Sequence, residues 1–336
     1  MPTIGTLVTY LDIASRLGPD NKISGIIELM KRTNTILDDM HVVEGNLPTG
    51  HKSTIRTGLP TVAWRLLNYG IQPSKSITSQ VTDTCGMLEA YAEVDKALAD
   101  LNGNTAAWRL SEDNAFLEAM NQTMATTIFY GNQNTNPERF TGLMPRYPQY
   151  GANLSTITAY NCIDTHGAAS GAYQTSIWLI VWGPNTAHGI YPKGAEGGGF
   201  NHQDLGEVTL MDAQTPAGRY QGYRTHYKWD LGFTVRDWRY VVRCANVDTT
   251  LLSSTVVDLF AAMTKAYYRI PSFGMGQAVF YCNNLILEFL QQQAAVKANA
   301  ALRYEEVGGK PITRYMGIPI KRCDAIINTE AEVLTI

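Results

Sequence analysis

Cys162 and His166 stand four residues apart, and His188 and His202 follow further along, so the first question is whether they hold a metal. Tetrahedral zinc needs about four ligands, normally delivered as two close pairs. One weak pair in a loop-like stretch falls short of that, and the residues read as incidental polar loop positions. The five cysteines, Cys85, Cys162, Cys244, Cys282 and Cys323, are scattered singly, without CxxC spacing and odd in number. That pattern argues against a zinc cage or a disulfide framework and for buried free thiols.

Nucleophilic chemistry is no better supported. Gly167-Ala168-Ala169-Ser170-Gly171 places its serine one position late for G-x-S-x-G and follows no buried strand, as a nucleophile elbow must. It reads as a connector, and a cytosolic hydrolase built on the 162–170 loop stays an alternative. Gly274-Met275-Gly276 lacks the third glycine and the Lys-Ser/Thr pair of a phosphate cradle. The carboxylate pairs Asp38-Asp39 and Glu305-Glu306 are sequence neighbours, so their side chains diverge and form no acid/base dyad. No catalytic residue, cofactor site or metal site is expected. The densest basic and aromatic stretch runs from Arg219 to Arg243 and could serve a nucleic-acid-binding scaffold. Its alternation, however, puts Tyr223, Tyr227 and Trp229 on one strand face and Arg224, His226 and Lys228 on the other, as in a packed sheet with a solvated side.

The elements around these residues predict a mixed α+β chain. Ile23, Ile26, Ile27 and Met30 begin a helix that Ile36, Leu37 and Met40 continue, and residues 1–20 read as an arm. From His51 the chain turns extended, with breaks at Gly58-Leu59-Pro60, Asn68-Tyr69-Gly70 and Gln72-Pro73. Met87–Val94 reads as a half-buried strand. Ser111, followed by Glu112 and Asp113, predicts the N-cap of a long helix ending at Gly131, with Phe116, Ala119, Met120, Met124 and Ile128 inward. Ile177–Trp182 predicts a central buried strand, residues 193–206 a glycine-rich loop, and Tyr223–Asp230 a two-faced strand. Helices are expected over 249–268 and after the cap Asn283, and a hairpin about Gly308-Gly309.

The chain has 336 residues, 45% hydrophobic and 17% charged, with a net charge of −3. Two lobes are the prior for that length. The low charge suits a surface buried against partners. No apolar run reaches membrane-spanning length and the first residues do not read as a secretion signal, so synthesis without export is expected. The ribbon over 45–86 is the odd feature, because ordering its backbone costs about 1–2 kcal/mol per residue with little core to offset it. Such a segment persists when a neighbouring subunit supplies its partner.

Along that ribbon, Gly50–Pro60, Trp64–Asn68 and Gln72–Lys75 resemble the major capsid proteins of tailed bacteriophages. Gly86–Glu89, Leu101–Asn104, Phe116–Asn121, Phe129–Gly131, Ser176–Gly183, His188–Gly194, Gly317–Ile320 and Asp324–Ile326 extend the likeness over most of the chain. The resemblance implies the Hong Kong 97-type fold. It divides the chain into an N-terminal arm at 1–48, an E-loop hairpin at 49–86 and a peripheral domain at 87–169 with its spine helix at 111–130. An axial domain at 170–300 and C-terminal strands at 301–336 that return to the core complete it. It further implies pentamers and hexamers of this chain, closed as an icosahedral virion shell around non-specifically held double-stranded DNA and assembled in the host cytoplasm. The implied partners are a separate scaffolding protein and a portal, with a cement or decoration protein as a further candidate, and no membrane. Arg56, Arg65 and Lys75 are the expected inter-subunit contacts, Trp64 the apolar anchor, and Gly58 and Gly70 the hinges. Lys75 has no matching acidic catalyst, so no covalent crosslink is carried over.

Overall fold

The computed structural model describes residues 34–100, 105–151, 157–165, 173–211, 218–252, 257–297, 302–307 and 310–335. The expected arm at 1–20 and the helix start at 23–30 lie outside them; of that helix the described part is Ile36–Asp39.

Among the described residues thirteen strands join in one sheet. β1 (Val42–Glu44) leads into the hairpin of β2 (Gly50–Gly58) and β3 (Ile77–Asp95), and β4 (Cys162–Asp164) follows the long helix. β5 (Gln174–Trp182), β6 (Ala187–Tyr191), β7 (Phe200–Met211), β8 (Arg219–Val235) and β9 (Val241–Asp248) form the centre, and β10 (Gln277–Cys282), β11 (Leu302–Val307), β12 (Lys310–Tyr315) and β13 (Ile318–Arg322) complete it. The main path runs β11-β12-β13-β10-β5-β6-β8-β3-β2.

The apolar run of β5 is explained by its two faces. Ile177, Leu179 and Val181 join one core with Val242, Met263, Phe280 and Ile286. Trp178, Ile180 and Trp182 join another with Ile128, Phe129, Leu143, Phe233 and Tyr281. Every residue of the strand is buried, as a strand packed on both sides requires. β8 is two-faced as expected: Tyr227 is buried with Met120 under the long helix, and Trp229 packs against that cluster.

Four expected boundaries are corrected. The long helix starts by Thr105 and ends at Tyr130, a rod of about 39 Å. Ser111 therefore sits inside it, Glu112 is buried, and Ala119 of the expected stripe faces outward. The upstream Trp108, buried against Val94 and Leu98, anchors the extra turns. The strand read as 87–94 is one continuous element from Ile77 to Asp95 that passes through Gly86. Half of the expected 193–206 loop is β7, which pairs with β8 along its length; the bulge between Asp204 and Gly206 accommodates Gly206 at φ 67°. The helix expected over 249–268 is Leu259–Arg269, begun where Asp258 accepts the Ala261 amide at 3.1 Å. Asn283 does cap its helix, accepting the Ile286 amide at 2.9 Å, and β11 pairs with β12 about the Gly308-Gly309 position.

Candidate functional site

The β2–β3 hairpin builds the site. Its root is welded to the body: β3 pairs with β8 from Cys85 opposite Gly232 to Asp95 opposite Gly222. Beyond Cys85 the two arms pair with each other, from Gly50 opposite Thr84 to Gly58 opposite Ile77. Gly50 makes this close approach possible, since an added Cβ would collide with the Asp83 carbonyl oxygen and crowd the Thr84 Cα. Gly50→Ala should cost about 1–3 kcal/mol, read as a lower urea midpoint with the slope unchanged. An unchanged midpoint would mean that the arms separate freely at that point.

The root carries a buried polar knot. Asp83 is 7% exposed and accepts the Arg146 guanidinium at 2.8 Å and the Thr234 hydroxyl. Arg146 also donates to the Phe233 carbonyl at 3.1 Å, so one cation fastens β3 to β8. His51 stands opposite Asp83 in register and meets His188 of β6 edge to face, with ring centroids 6.0 Å apart.

From 59 to 76 the chain forms no strand, and its two legs are linked where the Ser74 hydroxyl donates to the Thr61 carbonyl at 2.7 Å. Trp64, Val62, Leu67 and Leu59 are almost wholly exposed, and Leu66, Tyr69 and Ile71 largely so. Contiguous apolar exposure of this kind marks a contact surface. Arg65 and Lys75 are exposed on the same loop. Arg56 lies on β2 at the rim of a cleft of about 500 Å³ that also takes in Arg236, Asp237 and Arg239. Arg239 already holds Asp237 at 2.7 Å, so the cleft keeps an excess of positive charge. Gly58 sits at the register shift after Arg56, with Ile77 3.3 Å from an added Cβ, whereas Gly70 has open space around it. The left-handed residue of the tip is Asn68, at φ 69°.

The sequence singled out Trp64, Arg65 and Lys75, and all three lie on this loop. It passed over Leu59, Val62, Leu67 and Tyr69, whose signal was apolar side chains crowded between turn residues. It also missed Asp83, His51 and Arg146, which only tertiary pairing brings together.

The chemical alternatives lose ground. Cys162 is 2% exposed, and burial pushes its thiol up to about 11, which leaves a poor nucleophile. His166 and Ser170 lie outside the described residues. Among the described residues no three potential metal ligands converge, and no helix is long and apolar enough to cross a membrane. On the 219–243 stretch, Arg224 binds Glu93 at 2.5 Å, Lys228 lies 3.3 Å from Asp230, and Arg243 binds Glu330 at 2.8 Å in the interior. These three cations are neutralised within the chain and are not free for a phosphate backbone. The cysteines of the described residues are all free, and all except half-buried Cys85 are buried.

The family described as major capsid protein GP7 matches residues 18–334. No curated protein matches the chain. Among solved structures, a chain of bacteriophage Epsilon15, determined by cryo-EM, is 38% identical over 99% of both chains, with a TM-score of 0.79. A chain from the capsid of the native GTA particle is 10% identical over 67% of this chain and 92% of that one, at a TM-score of 0.45. One from Mycobacterium phage Adephagia is 10% identical, covering 68% and 92%, at 0.41.

Proposed function

The chain belongs to the family of the major capsid protein GP7, and from that membership we propose that it forms pentamers and hexamers that close an icosahedral shell around packaged double-stranded DNA. One observation carries the reading: 38% identity to a bacteriophage Epsilon15 chain runs across 99% of both chains, hairpin and body alike. The family is structural, and the place of the chain is the virion.

Within that role, residues 49–86 act as the E-loop, reaching from the peripheral domain of 87–169 onto the next subunit. Residues 1–48 act as the arm, 170–300 as the axial domain, and 301–336 as the strands that return to the core. The exposed apolar tip supports this, since a monomer gains nothing from displaying Trp64, Val62 and Leu67 to water. Trp64 is the apolar anchor of the contact, and Arg56, Arg65 and Lys75 supply its charged rim. Gly58 and Gly70 let the loop adapt to five-fold and six-fold surroundings. A scaffolding protein directs curvature during assembly in the host cytoplasm, a portal occupies one vertex, and a cement protein is a further candidate for the outer surface. The DNA is held without sequence preference, in keeping with the internal pairing of the basic stretch.

Electron microscopy and sedimentation of the purified chain, alone and co-expressed with its scaffold, test the reading. Capsomers or closed shells are expected in at least one condition. A monomer that stays monomeric in both would overturn it.

A further inference from the structure

We propose that the root of the hairpin is an acid-opened latch: His51 and His188, packed between the hairpin and the body beside Arg236, keep the root shut while neutral and drive it apart once they take up protons. This rests on reading the hairpin as the arm that reaches the next subunit, although the latch itself works within one chain.

The two rings come from different bodies. His51 belongs to β2, the free arm, and His188 to β6, which pairs with β8 through His188 opposite Thr234. They meet edge to face at 6.0 Å between centroids. His188 is 2% exposed. The Nδ1 atoms of both rings are buried and, among the described residues, have no hydrogen-bond partner. A proton placed there would find no acceptor among the described residues, and the one backbone contact that favours a charged His188, at Gly183, is outweighed by burial.

The charged surroundings make it worse. Arg236, at the end of β8, acts on both rings. Asp83 of β3 faces His51, but it is already engaged by Arg146 and the Thr234 hydroxyl. His41, just before β1, adds a further potential cation near His188. Asp237 is held by Arg239. One occupied carboxylate therefore faces two arginines, and each added proton raises an uncompensated positive charge.

Burial, His51 and Arg236 together bring His188 down to about 4, and burial with Arg236 lowers His51 as well. The closed root thus binds fewer protons than the open root between the ordinary histidine value of about 6.5 and about 4. Closure is stable above that window and is lost as pH falls through it, by about tenfold in the opening equilibrium per pH unit for each depressed histidine.

The topology says what moves. β3 stays anchored through its ladder with β8, while the link between β1 and β2 is tied to β6 by a few bonds. The Gly45 amide donates to the Tyr191 carbonyl at 2.8 Å, and the Lys193 amide to the Leu47 carbonyl at 3.2 Å. Parting the histidines breaks these bonds and lets the hairpin swing about β3.

Hydrogen exchange of the full purified chain, corrected for intrinsic rates, reads the latch directly. Between about pH 7 and about pH 4.5, the Gly45 and Lys193 amides should lose protection by tenfold or more while β5 and β10 keep theirs. His188→Gln should flatten this loss, with near-UV dichroism at neutral pH confirming the fold. His51→Gln, at the less buried ring, should weaken the loss even if the His188 variant folds poorly, and His41→Gln should leave it in place. Protection that does not change with pH, or an acid loss equal in wild type and in both root variants, overturns the latch. Shell formation at neutral pH is scored separately: shells with an acid-insensitive root would sink the latch alone, and an acid-sensitive chain that never assembles would sink the assembly reading alone.

Discussion

Trp64→Ala should leave the isolated chain as stable as wild type and raise the concentration needed for assembly by about thirtyfold or more. The two halves of that result have one cause. In the single chain Trp64 is fully exposed and touches little, so its removal belongs with surface substitutions that shift stability by no more than about 0.5 kcal/mol. In the proposed contact it is an apolar anchor, and truncating such a residue costs about 2–4 kcal/mol. Each 1.4 kcal/mol is about a factor of ten in an equilibrium constant. Light scattering against concentration would measure the threshold, and thermal unfolding would check the fold. Wild-type assembly by the variant would move the anchor elsewhere on the loop, with Val62 and Leu67 as the next candidates.

Glu330→Ala should do the opposite, damaging the fold before any assembly step, by about 3–5 kcal/mol. Arg243 on β9 is fully buried, and Glu330 is 3% exposed. Their 2.8 Å ion pair is completed by the Ser176 hydroxyl and the Tyr130 hydroxyl, which donate to Glu330 at 2.8 and 2.5 Å, and by the Tyr147 carbonyl, which accepts from Arg243 at 3.0 Å. Five elements meet at that ion pair: β5, β9, the end of the long helix, the 144–147 turn and the C-terminal segment. Without Glu330 the guanidinium is left in the interior with no counter-ion, which costs far more than the pair itself contributes. Replacing both partners, as in Arg243→Met with Glu330→Leu, should restore most of the loss. Urea unfolding of the three chains decides it, and a single variant within about 1 kcal/mol of wild type would show that water reaches the site.

Local pattern carried the sequence reading as far as local physics went. β5 was legible from the six apolar residues Ile177–Trp182, though not its polar start at Gln174–Ser176, and β8 because its alternation survives a single glance at side-chain type. The Asn283 cap was legible because its hydrogen bond is local. Glycine misled where packing set its role. Gly86 looks like a stop, yet it lies in mid-strand because the Glu138 carbonyl passes 3.1 Å from where a Cβ would stand. Ser111 with Glu112 and Asp113 resembles a helix start, but Trp108 docks against Val94 and carries the helix a full turn and more upstream. The helix expected from 249 has its described start after Asp258, which caps it, while residues 253–256 lie outside the described residues. At the site, the exposed tip could be found from its turns and apolar residues. The root could not, since His51, Asp83, Arg146, His188 and Thr234 come from segments far apart that only the sheet register unites.

A cryo-EM map of the assembled shell at side-chain resolution tests the central claim most directly. It should show residues 59–76 covered by the neighbouring copy, with Trp64 seated in an apolar contact and Arg56, Arg65 and Lys75 at its rim. A closed shell in which that loop projects into solvent, while other surfaces hold the subunits together, would contradict the account.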